Sequence, residues 1–275
     1  MLIVNTLPQV VKIKKIVQEN EQVKTFVLDL SLGAQPGQFV MVWIPRLDEK
    51  PFSVAMDNGL ELHLAIADVG PFSHALHQLK EGDQVGVRGP FGTEFTCEPG
   101  QRLLFLGGGY GAAPLYYFAH KASAMGCTVE FVVGARRKDL LLYTERAEQL
   151  KNVNVHVATN DGSAGMEGFN TVLMEKVVAD AEAEGRPVDC IYTCGPEVMM
   201  LKAMQLAVAK KMQAQISVER YMKCGFGVCG NCCVDGLGVP SCIDGPVMPL
   251  EKVLQLKDFG KYHRDNLGKK QYFNF

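Results

Sequence analysis

The spacing of three cysteines constrains this chain more than any other feature. In KCGFGVCGNCC, residues 223–233, Cys224, Cys229 and Cys232 form a C-x4-C-x2-C run; Cys233 adjoins it and Cys242 follows further on. In a sequence of this length and cysteine content that spacing arises by chance about once in a hundred. Four thiolates converging from a tightly curled loop are the donor set of a plant-type [2Fe–2S] centre. Gly225, Gly227 and Gly230 let the backbone curl and turn its N–H groups toward sulfur. A zinc knuckle is the alternative, because Cys229 and Cys232 have its spacing, but a zinc ribbon supplies a second pair and Cys242 stands alone. Side chains of adjacent residues point in opposing directions, so Cys232 and Cys233 are not both expected to bind, and Cys233 is the spare thiol. Cys97, Cys127 and Cys190 read as small apolar core residues.

Bulk properties narrow the rest. A chain of 275 residues suggests about two domains, and 47% apolar with 21% charged residues is the composition of a protein with sizeable cores. A net charge of −2 gives no reason to expect nucleic acid as a partner. The opening MLIVNTLPQVV lacks the basic start and cleavage site of a signal peptide, and no run reaches the ~18 apolar residues that span a bilayer. A cytoplasmic protein without membrane contact is therefore expected, in a compartment where disulfides are disfavoured.

The hydrophobic pattern changes twice along the chain. Residues 1–98 read as short β segments (VVKIKKIV, TFVLDL, QFVMVWIP, LELHLAIA, DQVGVRGPF) separated by turn residues, which predicts an antiparallel β-barrel or sandwich. Residues 99–215 alternate strands with helices, from RLLFLGG to AQISVE, and predict an α/β domain with a parallel sheet. One helix is expected through RKDLLLYTERAEQL. Residues 216–275 lose periodicity and are rich in Gly and Cys, as in a small domain stapled by a metal centre. The tail LQLKDFGKYHRDNLGKKQYFNF mixes aromatic and basic residues; it suits docking to a partner or packing on its own domain equally well.

Two turns in the α/β part sit where such sheets bind ligands. In LGGGYGAAP, Gly107, Gly109 and Ala112 satisfy G-x-G-x-x-G/A between a strand and a helix, the turn that carries a pyrophosphate to a helix N-terminus. A plain tight turn is the alternative. The second strand ends in Arg136-Arg137 instead of an acidic residue for a ribose hydroxyl. In TCGPEVMM, Cys194 ends a late strand and Pro196 opens a helix; TNDGSAGMEG follows another strand on the same edge. In the β-rich part Ser73 is expected to cap a short helix over 73–79. The six histidines are scattered without a nucleophilic constellation, so hydrolase chemistry has no support.

Taken together, KPFS and GPFS, then GGGYGAAP and TCGPEVM, resemble the ferredoxin–NADP reductase superfamily over residues 1–215. With ERYMKCGFGVCGNCCVDGLGVPSCIDGPVM added, the chain looks like a member of the family of electron-transfer subunits of type B dihydroorotate dehydrogenases. The resemblance implies three parts: a FAD-binding β-barrel (1–98), an NAD(P)-binding α/β domain (99–215) and a [2Fe–2S] domain with the tail (216–275). Lys50, Pro51, Phe52 and Ser53 match an R-P-x-S segment that holds FAD, with lysine keeping the charge of arginine but not its bidentate fork. Ile66, Gly70, Phe72 and Ser73 match a second flavin-holding segment. Gly107, Gly108, Gly109, Gly111 and Ala112 would receive NAD, with NADP as the alternative, and Cys194, Gly195 and Pro196 match a C-G-P motif beside the nicotinamide, where Cys194 is the candidate catalytic residue. Cys224, Cys229, Cys232 and Cys242 match the cluster ligands. The implied activity is a relay within a heterotetramer of the pyrimidine pathway: an FMN-containing partner subunit oxidises dihydroorotate, and electrons pass through [2Fe–2S] and FAD to NAD+. The alternative is a relay of the same build for another oxidoreductase, of sulfide, hydrogenase or transhydrogenase type. Transhydrogenase relatives usually carry Asp where this chain has Cys224. A zinc-stapled binding protein is the expectation from a different class.

Overall fold

Alternation of inward apolar and outward polar side chains builds the first part of the molecule. A computed structural model describes residues 5–273; Met1–Val4 of the opening segment and Asn274–Phe275 of the tail lie outside the described residues. The strands are β1 (Asn5–Gln18), β2 (Val23–Leu28), β3 (Phe39–Ile44), β4 (Asp48–Ser53), β5 (Met56–Asp57) and β6 (Leu62–Ala67), then helix α1 (Pro71–His77) and β7 (Gln84–Phe91). They form one antiparallel sheet in the order β4-β3-β7-β1-β2-β6-β5, and β4 also packs against β6, so the sheet curls on itself as a barrel. Strand β6 shows the pattern plainly: Leu62, Leu64 and Ile66 are buried while the residues between them are half-buried. Ile13, Phe26, Leu28, Val42 and Val85 meet Leu64 and Ile66 in the interior.

The second part is the α/β domain: β8 (Arg102–Gly108), α2 (Ala112–Ala124), β9 (Thr128–Ala135), α3 (Thr144–Ala147), β10 (Val153–Thr159), β11 (Met166–Glu167), α4 (Asn170–Ala183), β12 (Cys190–Cys194), α5 (Glu197–Lys210) and β13 (Gln213–Ser217). After it come α6 (Ser241–Asp244), β14 (Val247–Pro249), α7 (Leu250–Val253) and a hairpin of β15 (Tyr262–Arg264) and β16 (Lys270–Tyr272). The sheet order is β11-β10-β9-β8-β12-β13-β14, parallel from β11 to β13. Its core centres on aromatic rings: Phe105 stacks on Phe118 with centroids 5.0 Å apart and meets Tyr192 edge-on at 5.2 Å. The Tyr192 hydroxyl satisfies itself on the Thr96 carbonyl at 2.7 Å.

Contacts group the chain into two compact units. One comprises the residues up to Glu94, then Glu219–Val247 and the chain from Gln255 onward; the other comprises Phe95–Val218 and Met248–Leu254. The cysteine segment thus belongs to the same unit as the barrel.

Three local expectations are corrected. The helix expected through residues 137–150 is a 3-10 turn at Lys138–Leu140 followed by the short α3, because Leu141 is extended and Tyr143 takes a left-handed φ of 63° while its ring is buried. Helix α1 starts two residues before Ser73: Gly70 is its N-cap and Pro71 its first residue, where a missing N–H costs nothing. Cys97 is only half-buried, with its sulfur 3.9 Å from that of the buried Cys127.

Candidate cofactor-binding sites

The cysteine loop is shaped by glycine. Gly225, Gly227 and Gly230 all have left-handed φ, of 80°, 80° and 67°, which side-chain-bearing residues adopt only with strain. Gly225 is also pressed against the barrel: a Cβ there would lie 3.0 Å from Met41 Cγ. The returning chain is fixed by a bridge between Cys233 and Pro240 and by the Ser241 N–H donating to the Cys232 carbonyl at 3.0 Å, and α6 then presents Cys242. Cys232 and Cys242 are buried in one apolar cluster with Phe39, Met41, Phe91 and Met222, whereas Cys229 is exposed.

The thiols interact with one another, Cys224 with Cys229 and Cys242 with both Cys232 and Cys224. Among the described residues no group of three or more Cys, His, Asp or Glu side chains is already gathered as for a metal ion. Four thiols at this spacing are the donor set of two irons. Backbone N–H groups are aimed at sulfur: Gly227 donates to Cys242 Sγ at 3.2 Å and Cys229 to Cys224 Sγ at 3.5 Å. Burial pushes the Cys224 thiol up, but donors from Cys229, Phe226 and Val228 outweigh it and bring it down to about 7. Burial, with the Cys232 thiol, pushes Cys242 up to about 12, and a bound cation would draw its proton off. The buried Ser241 hydroxyl next to Cys242 has no hydrogen-bond partner, which leaves a donor for an added group. The donor set therefore fits a [2Fe–2S] cluster. Cys233 contributes its backbone to the bridge, and burial raises its thiol.

Lys50-Pro51-Phe52-Ser53 lies on β4, whose partner is β3, with Lys50 opposite Val42 and Phe52 opposite Val40. Phe52 stacks on Phe72 of α1 with centroids 6.0 Å apart, bringing together the two segments matched to flavin binding. Ser73 Oγ accepts from the Val69 and Gly70 N–H groups and donates to the Gly70 carbonyl, each at 3.0 Å, so it holds the turn and does not serve as the N-cap. Ile66 is buried inside the barrel, and its carbonyl meets the His77 ring nitrogen at 2.9 Å. Two residues that sequence reasoning missed join this region. Tyr221 accepts a hydrogen bond from Lys50, and the buried Arg88 pairs with Glu49 while lying 5.2 Å from the Phe226 ring of the cysteine loop.

In the other unit, chain order defines a crevice. From β8 the chain moves to β9 and β10 on one side; α4 then carries it back to β12 on the other, so the carboxyl ends of β8 and β12 flank a topological switch point. Gly107 and Cys194 are paired there. The glycines permit close approach: a Cβ on Gly111 would lie 2.4 Å from the Cys194 carbonyl oxygen, and one on Gly108 would lie 2.8 Å from both Met199 Sδ and Pro196 Cδ. Gly107 touches Ala112 in the same way, and Gly195 has a φ of 142° that brings it against the Gly108 carbonyl. Gly109 is left-handed, at φ 54°. The amino-terminal ends of α2 and α5 lie at this edge, the usual place for a pyrophosphate. The Cys194 thiol is buried. Asn170, the first residue of α4, was not singled out by sequence; its Nδ2 donates to the Gly107 carbonyl at 3.1 Å and braces the turn. Arg137 Nε pairs with Asp139 at 2.7 Å. Among the described residues no helix is long and apolar enough to cross a membrane.

Comparison with known proteins matches three family models to these parts. Residues 9–95 match an oxidoreductase FAD-binding domain, 105–205 an oxidoreductase NAD-binding domain, and 219–254 the iron-sulfur cluster binding domain of dihydroorotate dehydrogenase B. A probable dihydroorotate dehydrogenase B (NAD(+)), electron transfer subunit of Methanocaldococcus jannaschii is 43% identical over 267 residues, 97% of this chain and 99% of that protein. Its counterpart in Methanothermobacter thermautotrophicus is 41% identical, covering 96% and 97%. Among solved structures, an NADH-dependent reduced ferredoxin-NADP oxidoreductase studied for flavin-based electron bifurcation superposes with a TM-score of 0.79 at 31% identity, over 90% of each chain.

Proposed function

The chain belongs to the family of dihydroorotate dehydrogenase B electron-transfer subunits, and from that membership we propose that it delivers electrons taken from dihydroorotate by a partner subunit to NAD+. It is a flavin iron-sulfur oxidoreductase with FAD-, NAD- and cluster-binding domains. When bound, the flavin supplies exchange between hydride and single-electron chemistry, and the cluster supplies single-electron transfer. The rest is the work of the chain's own residues. Cys224, Cys229, Cys232 and Cys242 would hold the cluster, and the N–H groups of Gly227 and Cys229 are aimed at the sulfurs of Cys242 and Cys224. Lys50 would neutralise the flavin diphosphate and Phe52 with Phe72 would offer the flavin an apolar wall, while Gly70 and Ser73 fix the turn and Ile66 supports the segment from inside the barrel. Gly107–Ala112 admit the dinucleotide pyrophosphate to α2, and Cys194, Gly195 and Pro196 border the nicotinamide. The partner is an FMN-containing, dihydroorotate-oxidising subunit in a cytoplasmic heterotetramer serving pyrimidine biosynthesis.

One observation supports the relay above all. The cysteine loop packs on β3, and β3 is the hydrogen-bonded neighbour of the strand that carries Lys50–Ser53, so cluster and flavin segments share one strand as a wall. The likeness to a bifurcating NADH-dependent oxidoreductase favours a second reading, a relay of the same build serving a transhydrogenase. Isolation of the chain from its native host separates them. A co-purifying FMN subunit that oxidises dihydroorotate supports the first, and a different redox subunit overturns it.

A further inference from the structure

Lysine at position 50 removes one of the two donors that an arginine fork would offer a diphosphate. The structure supplies another nearby. Lys50 Nζ lies 2.5 Å from Asp48 Oδ2 and donates to the Tyr221 hydroxyl at 3.0 Å, while standing 5.2 Å from the centre of the Tyr221 ring. An ammonium carries three N–H donors, so two are engaged and one is left for a ligand. Tyr221 accepts from Lys50 through oxygen and keeps its own O–H to donate. Partial burial pulls the amine's pKa down, but the bonds to Asp48 and Tyr221 outweigh it and hold the group charged. Two side chains 171 positions apart thus present two adjacent donors, one of them cationic.

We propose that Tyr221 is a flavin-positioning residue: its hydroxyl donates to the diphosphate that Lys50 neutralises, and the Lys50–Tyr221 pair stands in for an arginine fork. The inference rests on the assignment of Lys50–Ser53 as a flavin-holding segment. It has a corollary, because Tyr221 lies three residues before Cys224: the segment that carries the cluster ligands also grips the anchor of the flavin.

The test is FAD titration, followed by flavin fluorescence, of the full-length chain with its cluster absorbance intact. Tyr221→Phe keeps the ring and removes the donor; FAD affinity should fall about tenfold, the worth of one hydrogen bond to a charged group, with the cluster spectrum unchanged. Lys50→Arg added to Tyr221→Phe restores the fork and should return affinity to within about threefold of wild type. Wild-type affinity in Tyr221→Phe, or a loss that Lys50→Arg does not repair, overturns the role of Tyr221. Lys50→Ala separates the premise: unchanged FAD binding in that variant removes the segment assignment and the inference with it. Loss in Lys50→Ala alone removes only Tyr221.

Discussion

Cys232 and Cys233 are neighbours with different surroundings, and the difference can be measured. Cys232 is buried in the apolar cluster with Cys242, whereas the Cys233 backbone is tied into the bridge to Pro240. Cys233→Ser should therefore keep the visible absorption and EPR signal of the reduced cluster, and Cys232→Ser should lose both. A second pair of substitutions contrasts two glycines of one turn. Gly111→Ala drives a methyl to 2.4 Å from the Cys194 carbonyl oxygen, where backbone meets backbone and neither yields. It should cost about 1–3 kcal/mol in thermal or urea unfolding and weaken NADH binding at least tenfold by titration. Gly109→Ala meets open space and only the strain of a left-handed φ, so about 1–2 kcal/mol is the ceiling.

Strands β8, β9 and β10 are tied together at their amino-terminal ends by Glu130. Its buried carboxylate accepts from Arg102 at 2.9 and 3.0 Å, Asn154 at 3.2 Å and His156 at 2.7 Å. Burial alone would raise its pKa, but bonds from His156, Arg102 and Asn154 outweigh it and hold the carboxyl below the usual range. A depressed folded-state pKa gives stability that is complete above the unfolded value, about 4.3, and is lost as pH falls through the folded value. Glu130→Gln removes the carboxylate that Arg102 and His156 share and leaves Arg102 only the exposed Glu184, at 2.8 Å, so it should cost about 1–3 kcal/mol at pH 7. The gap to wild type should narrow in urea melts as pH falls below about 4. The strand–helix alternation and the glycine turn of this unit were legible in the sequence, because periodicity and φ requirements are local. What was not legible depends on distance along the chain: Asn170 reaches a carbonyl 63 residues away, and Lys50 finds Tyr221 across 171. The start of α1 was misread for a local reason, since Ser73 reaches back to the Gly70 N–H from inside the helix and mimics a cap. The outer strand β14 and the hairpin β15–β16 are three residues per strand, too short to show a period.

At the scale of the whole molecule, the barrel and the cysteine segment are one compact unit built from separated stretches of chain. Phe39, Met41 and Phe91 of the barrel bury themselves against Met222, Cys232 and Cys242, and the buried Arg220 pairs with Asp258 at 2.9 Å. Truncation after Val218 should therefore leave a barrel with an uncovered apolar face, seen as binding of a hydrophobic dye and loss of FAD retention, although every strand of the barrel remains. Stripping iron from the full chain should lower the unfolding temperature and loosen FAD as well, since the curled loop loses the group that its thiols enclose. The same discontinuity sets an order on biogenesis. A ribosome releases the barrel strands first and the residues that finish their core last, with the whole α/β domain made in between. The nascent barrel must wait, unsealed, while residues 95–218 are made, so the cluster can be loaded only once the cysteine segment has emerged.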